Sequence, residues 1–137
     1  MNQAGRFVVV LLRLSAAMMA FALIAVFMPG EWIDATHRWL GMGDFPEEPI
    51  SYYLARSLSA FYAIFGGLLW LISVDIERYR NIGFYLCYAG LAFGPIVLFI
   101  DISADMPFYW TLLEGPFVII LSVVLLALLK KARRTDQ

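Results

Sequence analysis

The chain has 137 residues, of which 62% are hydrophobic and 15% charged, with a formal net charge of −1. A water-soluble domain of this length needs more polar surface than these residues supply, which argues against a soluble globular fold. One cysteine and one histidine exclude an internal disulfide, a bis-histidine haem and a zinc site with several histidine ligands. We expect no metal site, no bound cofactor and no nucleic-acid partner.

Four apolar stretches cover residues 7–28, 52–74, 82–100 and 108–129. At a rise of about 1.5 Å per residue, each is long enough to cross the bilayer's hydrocarbon core of about 30 Å as a helix. They predict an all-α fold, an integral membrane four-helix bundle that forms a single transmembrane domain over residues 1–137. The first stretch has a basic start, but its length favours a retained helix over a cleaved signal peptide.

The charged residues differ between the two sets of connections. The start, the connection between the second and third stretches, and the end are basic, with Arg6, Arg13, Arg78, Arg80, Lys130, Lys131, Arg133 and Arg134. The other two connections are acidic and hold Glu31, Asp34, Asp44, Glu47, Glu48, Asp101 and Asp105, with Arg38 as their one basic residue. Basic residues mark the cytoplasmic side. We therefore expect both termini in the cytoplasm, residues 29–51 and 101–107 outside, and a bacterial plasma membrane as the location.

The first outer connection contains a second helical pattern. Apolar and small residues recur at helical spacing over residues 31–40, namely Trp32, Ala35, Thr36, Trp39 and Leu40, opposite Glu31, Asp34 and Arg38. This pattern predicts a short amphipathic helix in the outer headgroup region, anchored by its tryptophans and ended by Gly41. His37 is interpreted as an interfacial side chain, and the acidic residues that follow as a solvated loop rather than a calcium site.

Small residues mark a packing face on two helices. They are Ala60, Ala63 and Gly67 on the second helix, and Gly83, Cys87, Gly90 and Gly94 on the third. Small residues let helices in a membrane approach closely. We therefore expect these two faces to pack against each other, with Cys87 as a packing residue and not a reactive thiol.

Two ionisable residues of opposite sign lie inside the predicted spans near the outer surface, Arg56 and Glu114. Charge within a bilayer is costly, so such residues are candidates for function. We expect the two to face each other, either as a structural ion pair or as a pocket for an anion or a headgroup; the alternative is that each side chain reaches the headgroups separately. Candidates to share their hydrogen bonds are Tyr52, Tyr53, Asp101 and Tyr109. On the inner side, Arg13 either reaches the headgroups or pairs with Asp75 or Glu77.

The helix that opens Tyr52-Tyr53-Leu54-Ala55-Arg56 and continues through Gly66-Gly67, together with the chain length, the even topology and the basic tail, resembles small bacterial membrane proteins of the DoxX-like kind. That grouping includes proteins regarded as subunits of quinone-linked oxidoreductases. The resemblance implies that the chain acts with a partner. It carries over no catalytic residue.

Three functions remain open at this point. The first is a non-enzymatic accessory or lipid- or small-ligand-binding subunit, whose partners are membrane lipids, another protein or further copies of the chain. The second is a transporter or channel for a small solute or a proton, acting as an oligomer. The third is an intramembrane enzyme or redox subunit that acts on a lipid or quinone, with Glu114 as the acid or base. The sequence contains no GxSxG, P-loop or HExxH motif, which favours a non-enzymatic role.

Overall fold

A computed structural model describes residues 2–134 of the chain, and the side chains of residues 2–132. Within that range the chain is helical and contains no strand. The helices are α1 Gln3–Phe21, α2 Leu23–Phe27, α3 Gly30–Trp39, α4 Pro49–Val74, α5 Arg80–Ser103, α6 Phe108–Leu113 and α7 Gly115–Arg134. The prediction of an all-α fold is confirmed.

Four helical segments are long and apolar enough to cross a membrane: Gln3–Phe27, Pro49–Val74, Arg80–Ser103 and Phe108–Ala132. Each contains one of the four predicted stretches, apart from Met28 at the end of the first. The helices extend beyond most of the predicted bounds because polar residues such as Gln3 and Ser103 continue the helical backbone after the apolar run has ended.

Two of these four segments are interrupted, which the apolar pattern does not indicate. Between α1 and α2 the chain tightens at Ala22, where Ala22 N–H donates to Met19 O at 3.1 Å and Ala25 N–H donates to Ala22 O at 3.1 Å. These bonds span three residues and have the 3₁₀ pattern. Between α6 and α7 the break falls at Glu114, where the following Gly115 and Pro116 weaken the helical hydrogen-bond ladder.

The chain divides into two compact units. Among the described residues, the first unit contains residues 2–12 and 72–134, and the second is Arg13–Leu71. In the first unit, α5 packs along α7, and α6 contacts both of them. The Asn2 side-chain amide donates to Ala132 O at 3.0 Å, so the start of α1 lies beside the end of α7.

The small-residue face of α5 packs against α7. A Cβ added to Gly83 would contact Leu129, one added to Gly90 would contact Ser122, and one added to Gly94 would contact Ile119. Cys87, on the same face, is 4% exposed. The sequence predicts α4 as the neighbour of this face, but these glycines approach α7, where residues such as Ser122 and Gly115 leave room for close contact.

In the second unit the close approach between helices is made by Gly66. A Cβ there would lie 2.9 Å from Ala16 O and 3.0 Å from Met19 Cβ, both on α1. A Cβ on Gly67 would meet no atom of the described residues within 4 Å. The close contact in this unit is therefore made by Gly66 with α1, whereas the sequence predicts a contact of Gly67 with the third apolar helix. Ala60 and Ala63, on the same helix as Gly66, are half-buried.

The predicted short helix in the first connection is present as α3. It ends at Trp39 and is capped by Gly41, whose φ of 71° is in the left-handed region. Gly41 N–H donates to Arg38 O at 2.9 Å and Met42 N–H donates to His37 O at 3.1 Å, which is the Schellman pattern. Trp32 and Trp39 project outward, 64% and 83% exposed.

Candidate functional site

Asp101 lies in the last turn of α5, whereas the sequence predicts it in an outer loop. The helix continues past Asp101 to Ser103, where a Schellman motif ends it. Asp105 N–H donates to Ile102 O at 3.3 Å and Met106 N–H donates to Asp101 O at 3.0 Å. Asp105 adopts the left-handed conformation that this motif requires, with φ of 50°. The motif fixes Asp101 on a rigid helical turn.

The Asp101 side chain is buried and incompletely paired. The residue is only 5% exposed, and its Oδ2 has no hydrogen-bond partner among the described residues. Buried polar atoms in folded proteins almost always have such a partner, because leaving one unpaired costs about 1–3 kcal/mol. The oxygen is therefore a place where a donor or a positive charge would be stabilised.

Glu114 lies at the break between α6 and α7 and is half-buried. Its Oε2 accepts a hydrogen bond of 2.6 Å from Trp110 Nε1, one helical turn earlier. Asp101 lies in the last turn of α5, and α5 contacts both α6 and α7, which meet at Glu114, so two carboxyl groups lie at this end of the first unit. We call Asp101, Trp110 and Glu114 the carboxylate site. Tyr109 lies on α6 beside Trp110 and is 43% exposed.

A close backbone contact joins α5, which bears Asp101, to the start of α7 beside Glu114. A Cβ added to Gly115 would lie 2.9 Å from both Gly94 O and Leu98 Cβ. Only glycine permits this distance. The helix that carries Asp101 and the break that carries Glu114 are therefore in direct contact through Gly94 and Gly115.

The remaining outer candidates belong to the second unit. Arg56 donates to Met28 O at 3.2 Å through Nη2. The Tyr52 ring packs against Phe45, with ring centroids 4.9 Å apart, and Tyr53 is 63% exposed. The facing arrangement of Arg56 and Glu114 stays a prediction of the sequence.

Each of the inner-side candidates has a partner within its own unit. The Arg13 guanidinium lies 5.3 Å from the ring centroid of Trp70. Asp75 Oδ1 accepts a hydrogen bond of 3.0 Å from Arg78 N–H, and Glu77 forms an ion pair with Arg80 at 3.9 Å. The pairing of Arg13 with Asp75 or Glu77 stays a prediction.

A polar network surrounds Asp34, which the sequence pattern was not interpreted to contain. Asp34 Oδ2 accepts a 3.0 Å hydrogen bond from Arg38 Nε and a second bond from Arg38 Nη2, while Oδ1 accepts one of 2.8 Å from Phe45 N–H. The Arg38 guanidinium, and then the Phe45 N–H, lower the pKa of Asp34. Asp34 in turn raises the pKa of Arg38. The spacing of four residues between Asp34 and Arg38 was the available signal.

The Asp34 network folds the loop back onto α3. His37 Nδ1 lies 2.9 Å from Gly43 O, and its ring meets Phe45 edge to face at 5.4 Å between centroids. His37 therefore has a local structural role in the second unit.

Comparison with known proteins gave no matching family model, no matching curated protein and no matching solved structure. Among the described residues there is no group of three or more His, Cys, Asp or Glu side chains that could hold a metal ion.

Proposed function

We propose that this chain is an integral membrane protein that acts as a non-enzymatic subunit, binding a small ligand, a lipid headgroup or a partner's polar group at the carboxylate site. The observation that carries the proposal is the buried Asp101 oxygen without a hydrogen-bond partner among the described residues. A structural carboxyl group is normally satisfied within its own fold. One that is not satisfied is suited to receive a group from outside.

The surface of the helices supports membrane insertion. Large apolar side chains such as Ile64 and Phe99 are exposed to 74% and 71%. Soluble proteins rarely expose many such side chains along helices of membrane-crossing length, whereas lipid chains cover them without cost.

The charges support an orientation for the first unit. Asn2 and Ala132 lie together at one end, next to the basic residues Arg6, Lys130 and Lys131. By the positive-inside rule this end is cytoplasmic. Since α5 and α7 each cross the membrane, the carboxylate site then lies at the outer leaflet, within reach of headgroups and of extracellular solutes.

The chemistry of the site determines which kind of group it can bind. Two carboxyl groups offer oxygen acceptors, and Trp110 occupies one Glu114 oxygen and fixes the orientation of that side chain. A ligand or partner must therefore present a hydrogen-bond donor or a positive charge. This differs from the anion pocket that Arg56 would form, which stays a separate prediction.

Native mass spectrometry of the protein extracted gently from its host's membranes tests this function. The variants are Asp101→Asn and Glu114→Gln, with Asp105→Asn as the matched control because Asp105 is an exposed carboxyl group four residues from Asp101. We expect a bound small molecule, lipid or partner that the first two variants lose and the control retains. A wild-type protein with nothing bound, or a bound species that all variants retain, would contradict the proposal.

A second candidate is a transporter or channel for a small solute or proton that acts as an oligomer. The observation in its favour is the break at Glu114 within a membrane-length helical segment, because interrupted helices often form ion and substrate sites in transporters. Flux into proteoliposomes that depends on Glu114 would support it, and flux that is unchanged in Glu114→Gln would count against it.

The resemblance to DoxX-like proteins extends the proposal to a protein partner or a second copy of the chain. Cross-linking in host membranes, followed by mass spectrometry, identifies such a neighbour. Recovery of the chain only with lipids would remove the partner from the proposal and leave the binding site.

A further inference from the structure

We infer that the carboxylate site binds a small monovalent cation, with Asp101 Oδ2 as a direct ligand. The inference deepens the proposed function, on which it rests, by naming the chemical class of the bound group. It is carried by three properties of the site: the burial of Asp101, the oxygen atoms around the break at Glu114, and the charges at this end of the first unit.

The burial of Asp101 limits the size of what it binds. Its Oδ2 is closed to water and has no donor among the described residues. A headgroup amine carries its substituents with it and needs more space beside the oxygen than a bare ion. A dehydrated sodium ion is smaller than a water molecule, and its positive charge would offset the cost of burying a carboxylate.

The break between α6 and α7 provides further oxygen ligands. One Glu114 oxygen accepts from Trp110, which leaves Oε1 for a ligand. Pro116 has no N–H, so the Leu112 carbonyl lacks its usual helical donor four residues later. Helical carbonyls point toward the C-terminal end, and α6 ends at Leu113. In membrane transporters, the backbone carbonyls of interrupted helices and the C-terminal ends of half-helices coordinate sodium ions.

The carboxyl groups at this end of the first unit favour the binding of a positive charge from outside that unit. On the elements packed here, the titratable groups near this end are Asp101, Asp105, Tyr109 and Glu114, which include three carboxyl groups and no cationic side chain. Arg80 begins α5 at its other end, about 31 Å away at helical rise. The basic residues of α7 also lie at the other end.

The small number of ligands and the exclusion of water from Asp101 favour a monovalent over a divalent cation. No cluster of three acidic, histidine or cysteine side chains occurs within the described part of the chain, and divalent ions usually need more carboxylates or keep several waters. A site that is closed to water at Asp101 disfavours Mg²⁺, which loses its waters reluctantly. Sodium is the natural probe.

The test is thermal unfolding of the full-length protein in lipid nanodiscs, with sodium replaced by N-methyl-D-glucamine at constant ionic strength. We expect the wild-type midpoint to rise with sodium concentration, because an ion bound only by the folded state stabilises it. Asp101→Asn and Glu114→Gln should abolish the rise, and the control Asp105→Asn should retain it.

A second readout does not depend on stability. In a variant with Trp32, Trp39 and Trp70 replaced by phenylalanine, Trp110 alone reports on its bond to Glu114, and its fluorescence should change and saturate with sodium. The absence of a sodium response in the wild type, or an equal response in Asp101→Asn, would overturn the inference. A sodium response that appears only in Arg56→Gln would also overturn the inference, because it would mean that Arg56 occupies the site in the wild type. A protein that retains another ligand in native mass spectrometry but ignores sodium refutes the cation and leaves the binding function standing.

Discussion

The backbones of Gly94 and Gly115 are in direct contact: a Cβ on either residue would lie 2.9 to 3.0 Å from the carbonyl oxygen of the other. Gly94 is in the middle of α5, and Gly115 is the first residue of α7. Their contact sets the distance between the helix that bears Asp101 and the break that bears Glu114. The geometry of the carboxylate site therefore depends on two residues that carry no side chain.

Gly115→Ala tests this dependence. The added methyl group would meet Gly94 O, Leu98 Cβ and Leu98 N at 2.9 to 3.1 Å, and none of these atoms can move without moving α5. We expect a loss of about 1–3 kcal/mol in the free energy of unfolding, measured by denaturant titration in mixed micelles, together with weaker ligand retention.

Gly67→Ala is the matched control for that substitution. It adds the same methyl group inside a helix, but no atom of the described residues lies within 4 Å of it. Replacing a helical glycine by alanine at an open position stabilises by about 0.4–1 kcal/mol, chiefly through the unfolded chain. Equal destabilisation by the two substitutions would show that the Gly94–Gly115 contact is not special.

The helices could be predicted from the sequence because burial in lipid requires long apolar runs, and runs such as residues 52–74 have few other solutions. The helix end at Gly41 could also be predicted, since glycine adopts positive φ without strain. The sequence does not predict that Gly66, rather than Gly67, makes the close contact with α1. Both are small, and which one faces α1 depends on helix rotation, which the neighbouring helix sets.

The environment of Asp101 was beyond sequence reasoning for a different reason. An aspartate after an apolar run is typical of a loop at the membrane surface. Here the helix continues because Asp105, a non-glycine residue, adopts the left-handed conformation, which the sequence does not reveal. The burial of the side chain then follows from packing between α5 and its neighbours. Glu114 was identified because a single carboxyl group inside an apolar run is conspicuous.

Trp110→Phe tests the orientation of Glu114. The substitution retains an aromatic ring but removes the donor of the 2.6 Å bond to Glu114 Oε2. We expect a loss of about 1–2 kcal/mol in the free energy of unfolding, typical for a hydrogen bond to a carboxyl group, and a reduced ligand signal in native mass spectrometry. Trp32→Phe is the control, because Trp32 is 64% exposed and should unfold like the wild type. If both variants retain the ligand equally, Trp110 does not position the site.

The predicted pairing of Arg56 with Glu114 calls for a double-mutant cycle with Arg56→Gln and Glu114→Gln. A direct ion pair predicts a coupling free energy of about 0.5–3 kcal/mol, read from unfolding of the two single variants, the double variant and the wild type. Arg56 also donates to Met28 O at 3.2 Å, so the single substitution alone does not isolate the pair. Additive effects would exclude the pairing and leave Arg56 with its bond to Met28.

The Asp34 network makes the order of the first connection dependent on pH. The folded pKa of Asp34 is lowered below its ordinary value of 3.8, chiefly by the hydrogen bond from Arg38. The stabilisation is therefore present above pH 3.8 and is lost as the pH falls through the lower, folded pKa. Phe45 N–H reports on it directly, because it donates to Asp34 Oδ1 at 2.8 Å. Hydrogen exchange should show Phe45 protected at neutral pH and progressively less protected, relative to the intrinsic rate, below about pH 4.

Asp34→Asn should weaken this protection at neutral pH and remove most of its pH dependence, because the amide has no charge to pair with Arg38. Asp44→Asn is the control. Asp44 lies 3.5 Å from Arg38 Nε, but its side chain is 85% exposed, and an exposed ion pair contributes little. Protection of Phe45 should therefore survive in Asp44→Asn. If Asp34→Asn leaves the protection and its pH dependence unchanged, α3 and the glycine at its end hold the loop, and the Asp34 carboxylate contributes nothing measurable.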